Sequence, residues 1–115
     1  LKVSFEGIGE NIVTFYNSKT NPAAAGVPVK MSAACEAAKC GDGERFFGVA
    51  VAGDSEFAAV QTKGYVEMPY TGTVPAVGFG KLAADAAGGV KTADAGSEFL
   101  IIDVDVTNKV VGFIL

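Results

Sequence analysis

Four pieces of this sequence have residue types and spacings that chemistry could use. Cys35 and Cys40 are the only two cysteines. A tetrahedral zinc site needs about four protein ligands, and two thiolates without histidine cannot close one. A disulfide across a hairpin is sterically open to the pair. Two free thiols in a reducing compartment are the plainer reading. Asp103 and Asp105 stand two apart on one strand face, as acid–base work or a hard cation would require. Asp42 and Glu44 share a glycine-rich turn. Acids so placed are far more often simply solvated, and neither pair extends into a longer acidic calcium loop. Gly78-Phe79-Gly80-Lys81 has the glycines and lysine of a phosphate loop. Leu82 follows where Ser or Thr is needed, and no long helix follows to lend its amides. These glycines are read as permitting a bend.

Absences narrow the chemistry further. There is no histidine and no tryptophan. Ser–His and Cys–His nucleophile systems are therefore closed to a single chain. An enzyme would have to work from carboxylates, lysine and tyrosine alone. No residue is assigned a catalytic, cofactor-binding or metal-binding role. The aromatic residues Tyr65, Tyr70 and Phe79 suit either an interface or packing at the end of a barrel. The candidate interface is Tyr65 and Tyr70 with Gln61, Lys63 and Glu67, and the Cys pair is expected to be dispensable for function.

The elements that must position these residues read as strands. Ile12 to Tyr16 is a β-branched and aromatic run, broken by turn-forming residues from Asn17 to Gly26. Val27, Val29 and Met31 alternate with Pro28 and Lys30, and the proline places this strand at an edge or at the start of a ladder. Phe46 to Val51 is apolar or small on both faces, as in a strand buried on two sides. Gly53 to Glu56 is a hairpin connector. Val60, Thr62, Gly64, Val66 and Met68 alternate with Gln61, Lys63, Tyr65 and Glu67, giving one strand with a wet face and a bulge or bend at Gly64. Pro69 and Pro75 bracket a loop. Phe79 to Leu82 reads as a short strand, with room for one helical turn after it. Leu100, Ile102, Val104 and Val106 alternate with Phe99, Ile101, Asp103 and Asp105. Thr107 to Lys109 turns the chain into a last strand from Val110 to Leu115. No internal repeat is evident. The fold class is all-β, a compact antiparallel barrel or sandwich, with residues 1–115 as one domain.

The bulk properties agree with this picture. The chain has 115 residues, half of them hydrophobic and 19% charged, with a net charge of −4. It can bury a core and is not composed like a disordered chain. An acidic domain gains nothing from counterion release, so nucleic acid is not an expected direct partner. No apolar run reaches the roughly 18 residues that spanning a bilayer takes, and no membrane association is expected. Leu1-Lys2-Val3-Ser4-Phe5 lacks the apolar core of a signal peptide, and the missing initiator Met suggests processing or trimming.

Phe46-Phe47-Gly48-Val49, Val60-Gln61-Thr62-Lys63-Gly64, Pro69-Tyr70-Thr71-Gly72-Thr73-Val74-Pro75, Gly88-Gly89-Val90-Lys91 and the closing Val111 to Leu115 occur in an order and spacing that resembles small phage and prophage structural proteins. These are the capsid-decoration or head-protein-like β-barrels of tailed phages. The likeness covers most of residues 40–115 and is weaker in the first third, and the cysteines are no part of it. It implies a virion component made in the bacterial host cytoplasm, without catalysis or cofactor. The implied partners are the major capsid protein, other virion proteins or further copies of the chain. The competing class is a free-standing β module that binds a peptide or glycan on its wet strand face.

Overall fold

A computed structural model describes residues 10–115, and within them the chain is all-β, with 58% of residues in strands and no helix. The reading of Leu1 to Phe5 lies outside the described residues. The strands are β1 (Asn11–Asn17), β2 (Pro28–Ala33), β3 (Glu36–Lys39), β4 (Gly48–Gly53), β5 (Phe57–Lys63), β6 (Tyr65–Thr71), β7 (Gly78–Ala84), β8 (Val90–Thr92), β9 (Ser97–Asp105) and β10 (Val110–Ile114).

They close into two barrels, not one. The first has the strand order β1-β3-β2-β4-β5 and the second β6-β8-β7-β9-β10. These are the same order shifted by five strands. The pairing sense also repeats: β1 with β3 and β6 with β8 are parallel, and the other pairs are antiparallel. The expectation of no internal repeat is thus corrected. The sequence trace of the repeat is thin. Lys39, Asp42 and Phe47 in the β3–β4 stretch recur as Lys91, Asp94 and Phe99 in the β8–β9 stretch.

Gly64 makes the corner between the barrels. Its φ of +102° is in the left-handed region that a side chain resists. The single strand expected over residues 60–68 is therefore two strands that meet there. Gln61 staples the corner, its Nε2 donating to the carbonyls of Lys63 (3.1 Å) and Tyr65 (3.2 Å). The Leu115 amide donates to the Gly64 carbonyl and ties the last strand to the same point.

The cores differ. The first is small: Ala23, Val29, Ala37, Ala50, Ala58 and Val60, with Phe15 and Phe47 packed against it. The second is larger and takes residues from both halves: Cys40, Phe46 and Val49 join Met68, Tyr70, Leu82, Val90, Val111 and Phe113. Phe46 stacks on Phe99 with centroids 5.1 Å apart, so residues from the matching stretches of the two halves meet. Backbone bonds cross the junction as well, Gly43 N–H to Ala84 O and Ala84 N–H to Glu44 O.

Local readings were corrected where one residue changed the phase. On β9, Asp103 pairs with Gly112 but Ile101 with Phe113, so Ile102 is an extra, bulged residue. The bulge sends Phe99, Ile101 and Val104 to the core and leaves Leu100 outside. β6 runs through Pro69 and Tyr70 to Thr71, so the expected proline-bracketed loop begins later. β7 continues to Ala84, with no helical turn. Phe46 and Gly48 to Ala50 are buried and Phe47 is half-buried, but Val51 to Gly53 are exposed. Pro28 does begin its strand, as its missing N–H requires.

Candidate functional site

The pieces of chemistry singled out in the sequence are dispersed and mostly absorbed by structure. Cys35 sits exposed with φ +61°, and Cys40 is buried; both are free thiols. Burial, then the nearby Glu44 carboxylate, pushes the Cys40 thiol up to about 11, which suppresses its thiolate. Asp42 and Glu44 are not simply solvated. Asp42 accepts from Lys91 Nζ at 2.8 Å, and Glu44 accepts from Lys30 Nζ at 2.6 Å and from the Gly41 amide. The Lys30 hydrogen bond, and then that of Gly41, holds the Glu44 carboxyl below its usual value. Asp42 and Glu44 line a cleft between the halves together with Asp85, which is buried and fully engaged. Its carboxylate accepts the amides of Ala87 and Gly89 and the Thr71 hydroxyl. The carboxylates of the cleft thus serve lysines, the backbone and a hydroxyl. Among the described residues no group of three or more His, Cys, Asp or Glu gathers as metal ligands would. No helix among them is long and apolar enough to cross a membrane.

The candidate interface divides. Tyr70 is 3% exposed and Gln61 7%, so both belong to the interior and are corrected as docking residues. Tyr70 points inward because β6 alternates strictly, with Val66, Met68 and Tyr70 facing the core. Gln61 is buried because the chain turns at Gly64. Lys63, Tyr65 and Glu67 remain on the surface.

Around Tyr65 the strand register assembles a face that sequence reading missed. Phe79 pairs with Leu100, Leu100 with Ile114, and Ile114 with Tyr65. Directly paired residues share a face, so these four form one row across β7, β9, β10 and β6. The row is on the outside, since Phe79 is 76% and Leu100 36% exposed. Val74 and Val77 in the loop before β7 are exposed as well. One register step away, Asp103 and Glu67 flank Gly112. The Tyr65 ring lies over Gly112, where a Cβ would fall within contact distance of its hydroxyl and ring carbons. Its hydroxyl donates to Glu67 Oε2 at 3.0 Å. Desolvation first, then the Glu67 hydrogen bond and the charges of Glu67 and Asp103, pushes this phenol up to about 12.

Asp105 lies on the same outer side, two strand positions beyond Asp103, and caps the β9–β10 turn through Asn108. That side-chain hydrogen bond lowers its pKa. Asp103 and Asp105 therefore share the outer face half-buried, with the Asp105 carboxylate committed to the turn. Gly78 and Gly80 belong to β7, where Gly80 admits the Ile101 side chain into the core. Only the pairing of distant strands brings Phe79, Leu100 and Ile114 to Tyr65, and no local motif encodes it. Comparison with protein-family models and with curated proteins returns no match.

Proposed function

We propose that this protein is a non-enzymatic structural component of a phage or prophage virion, docking on the capsid lattice as a decoration or head-stabilising protein. The observation that carries the reading is the outer apolar row Phe79–Leu100–Ile114–Tyr65 on a closed barrel. Contiguous exposed apolar surface rimmed by polar groups marks an interaction site. Both sheets close, but β8 pairs with β6 only at Tyr70 and Thr71 and with β7 only at Leu82, Ala83 and Ala84, so among the described strands residues 78–80 pair with β9 alone and a partner can use that backbone edge as well as the side chains. Rigid strands pre-organise the row, and little entropy is lost on binding. The sequence likeness over most of residues 40–115 supports the same reading. On this reading the partner is the major capsid protein or another virion protein, and the protein is made in the bacterial host cytoplasm.

The test is co-sedimentation with shells of the same phage, with shell melting measured alongside. Phe79→Ala and Tyr65→Ala should each weaken binding while the protein stays folded. Absence of association at any salt or maturation state refutes the reading. A second reading, a free-standing peptide- or glycan-binding module, has one observation in its favour. Tyr16 and Phe57 stack at 5.7 Å on the outside of the first barrel, and both are exposed.

A further inference from the structure

We infer that the outer face of the second barrel receives a partner segment carrying apolar side chains with lysine or arginine beside them. The inference rests on the docking reading above and names the chemistry of what docks. Three observations converge on it. The apolar row gives room for aliphatic or aromatic side chains along four neighbouring strands. One register step away on one side, the strand positions carry Asp103 and Glu67 with glycine between them, then Asp105; on the other side Lys81 stands opposite Glu98, so these positions hold four carboxylates to one lysine. The half of the chain that builds this barrel holds three lysines, Lys81, Lys91 and Lys109, against six carboxylates. Lys91 is already paired with Asp42 of the first half.

A two-fold contact between copies uses the same patch on both sides. Here an acid-rich patch would meet an acid-rich patch, with one Lys81 on each side against four carboxylates, and like charges brought face to face oppose binding. A second copy is therefore the wrong occupant for this face, and a cationic, apolar partner the right one. Tyr65 links the two rows: its ring continues the apolar one, and its hydroxyl is held by Glu67 of the acidic one. That bond presets the ring before a partner arrives.

The experiment uses the full chain, isotope-labelled, and three synthetic peptides of equal length. One alternates Leu with Lys, one Leu with Gln and one Leu with Glu. The Lys peptide should bind best and shift the amide signals of Tyr65, Phe79, Leu100 and Ile114. Each surface carboxylate removed should cost about threefold in affinity at low salt, so Glu67→Gln with Asp103→Asn should cost about tenfold. Phe79→Ser should weaken the same binding without touching the charges. Equal binding of the Lys and Gln peptides, shifts centred elsewhere, no binding, or an unaffected double variant would each overturn the inference. The shell assay separates the two claims. Peptide binding at this face with no shell association refutes the virion role alone. Shell association that is blind to the double variant and to salt refutes this inference alone.

Discussion

Phe46 is the residue on which the union of the two barrels most depends. It belongs to the stretch leading into β4, yet it lies in the second barrel's core, stacked on Phe99 at 5.1 Å and edge-on to Phe113 at 6.1 Å. It is 3% exposed. Truncating such a ring to alanine removes its transfer energy and leaves a cavity, together costing about 3–5 kcal/mol. Domains of this size are stable by only about 5–15 kcal/mol, so Phe46→Ala should remove a large fraction. At about 4 °C per kcal/mol, the melting temperature should fall by roughly 15 °C. Phe79→Ala is the control: it deletes a ring of equal size that is exposed, and should change stability by less than about 0.5 kcal/mol. Urea unfolding followed by circular dichroism gives both values. Adding Phe99→Ala completes a double-mutant cycle, in which the stacked pair should couple by about 0.5–1.5 kcal/mol. A loss below about 1.5 kcal/mol for Phe46→Ala, or a coupling near zero, would refute the junction as described.

Three other outcomes are expected. Asn17→Ala removes a buried amide that bonds Ala23 O, Ala23 N–H and Asp54 O, and should cost about 2–3 kcal/mol in denaturant unfolding. Tyr65 should ionise near pH 12 in an ultraviolet absorbance titration, and Glu67→Gln should bring that value down. The raised phenol pKa adds stability that is whole below the unfolded-state value near 10 and lost as pH rises toward 12, so alkaline unfolding should be shallower in the variant. A thiol reagent at pH 8 should modify Cys35 in the native protein and reach Cys40 only in denaturant, while the double serine variant should still fold.

The class of fold was legible because strand formation leaves a local, period-2 signature. Where alternation was clean, the strand formed: Val66 and Met68 face inward just as their spacing requires. The errors cluster where one residue resets the phase. Gly64 with positive φ breaks an apparently continuous strand, and the bulge at Ile102 swaps the faces of the second half of β9. Neither leaves a mark in hydrophobicity, because Ile is as apolar as its neighbours and glycine is silent about which way the chain turns. The repeat escaped for a related reason. Two barrels of like topology need matching strand order, not matching side chains. One fills its interior largely with alanine and the other with Met, Leu, Tyr and Phe.

The candidate site was half legible, and the division follows from where the information resides. Tyr65 and Glu67 could be found, because one strand's alternation already places them on a wet face. Their neighbours could not. Leu100 and Ile114 look like core residues in a list of hydrophobic positions, and only the register of β9 against β10 puts them outside. Tyr70 looked like a loop aromatic because two prolines flank it, but Pro69 sits exposed within β6 and does not end it. The apolar row exists only once four strands, separated by up to about fifty residues in sequence, close side by side. That gives the surface a clear dependence. Deleting the bulged Ile102 removes the one residue without a partner and leaves Asp103 opposite Gly112 and Ile101 opposite Phe113, so Leu100 and Ile114 should stay outside and docking should survive. Leu100→Lys should abolish docking while leaving the strand content of the circular dichroism spectrum unchanged, because it breaks the row without touching the register. Retained docking in the Leu100→Lys variant would show that the binding surface does not include this row.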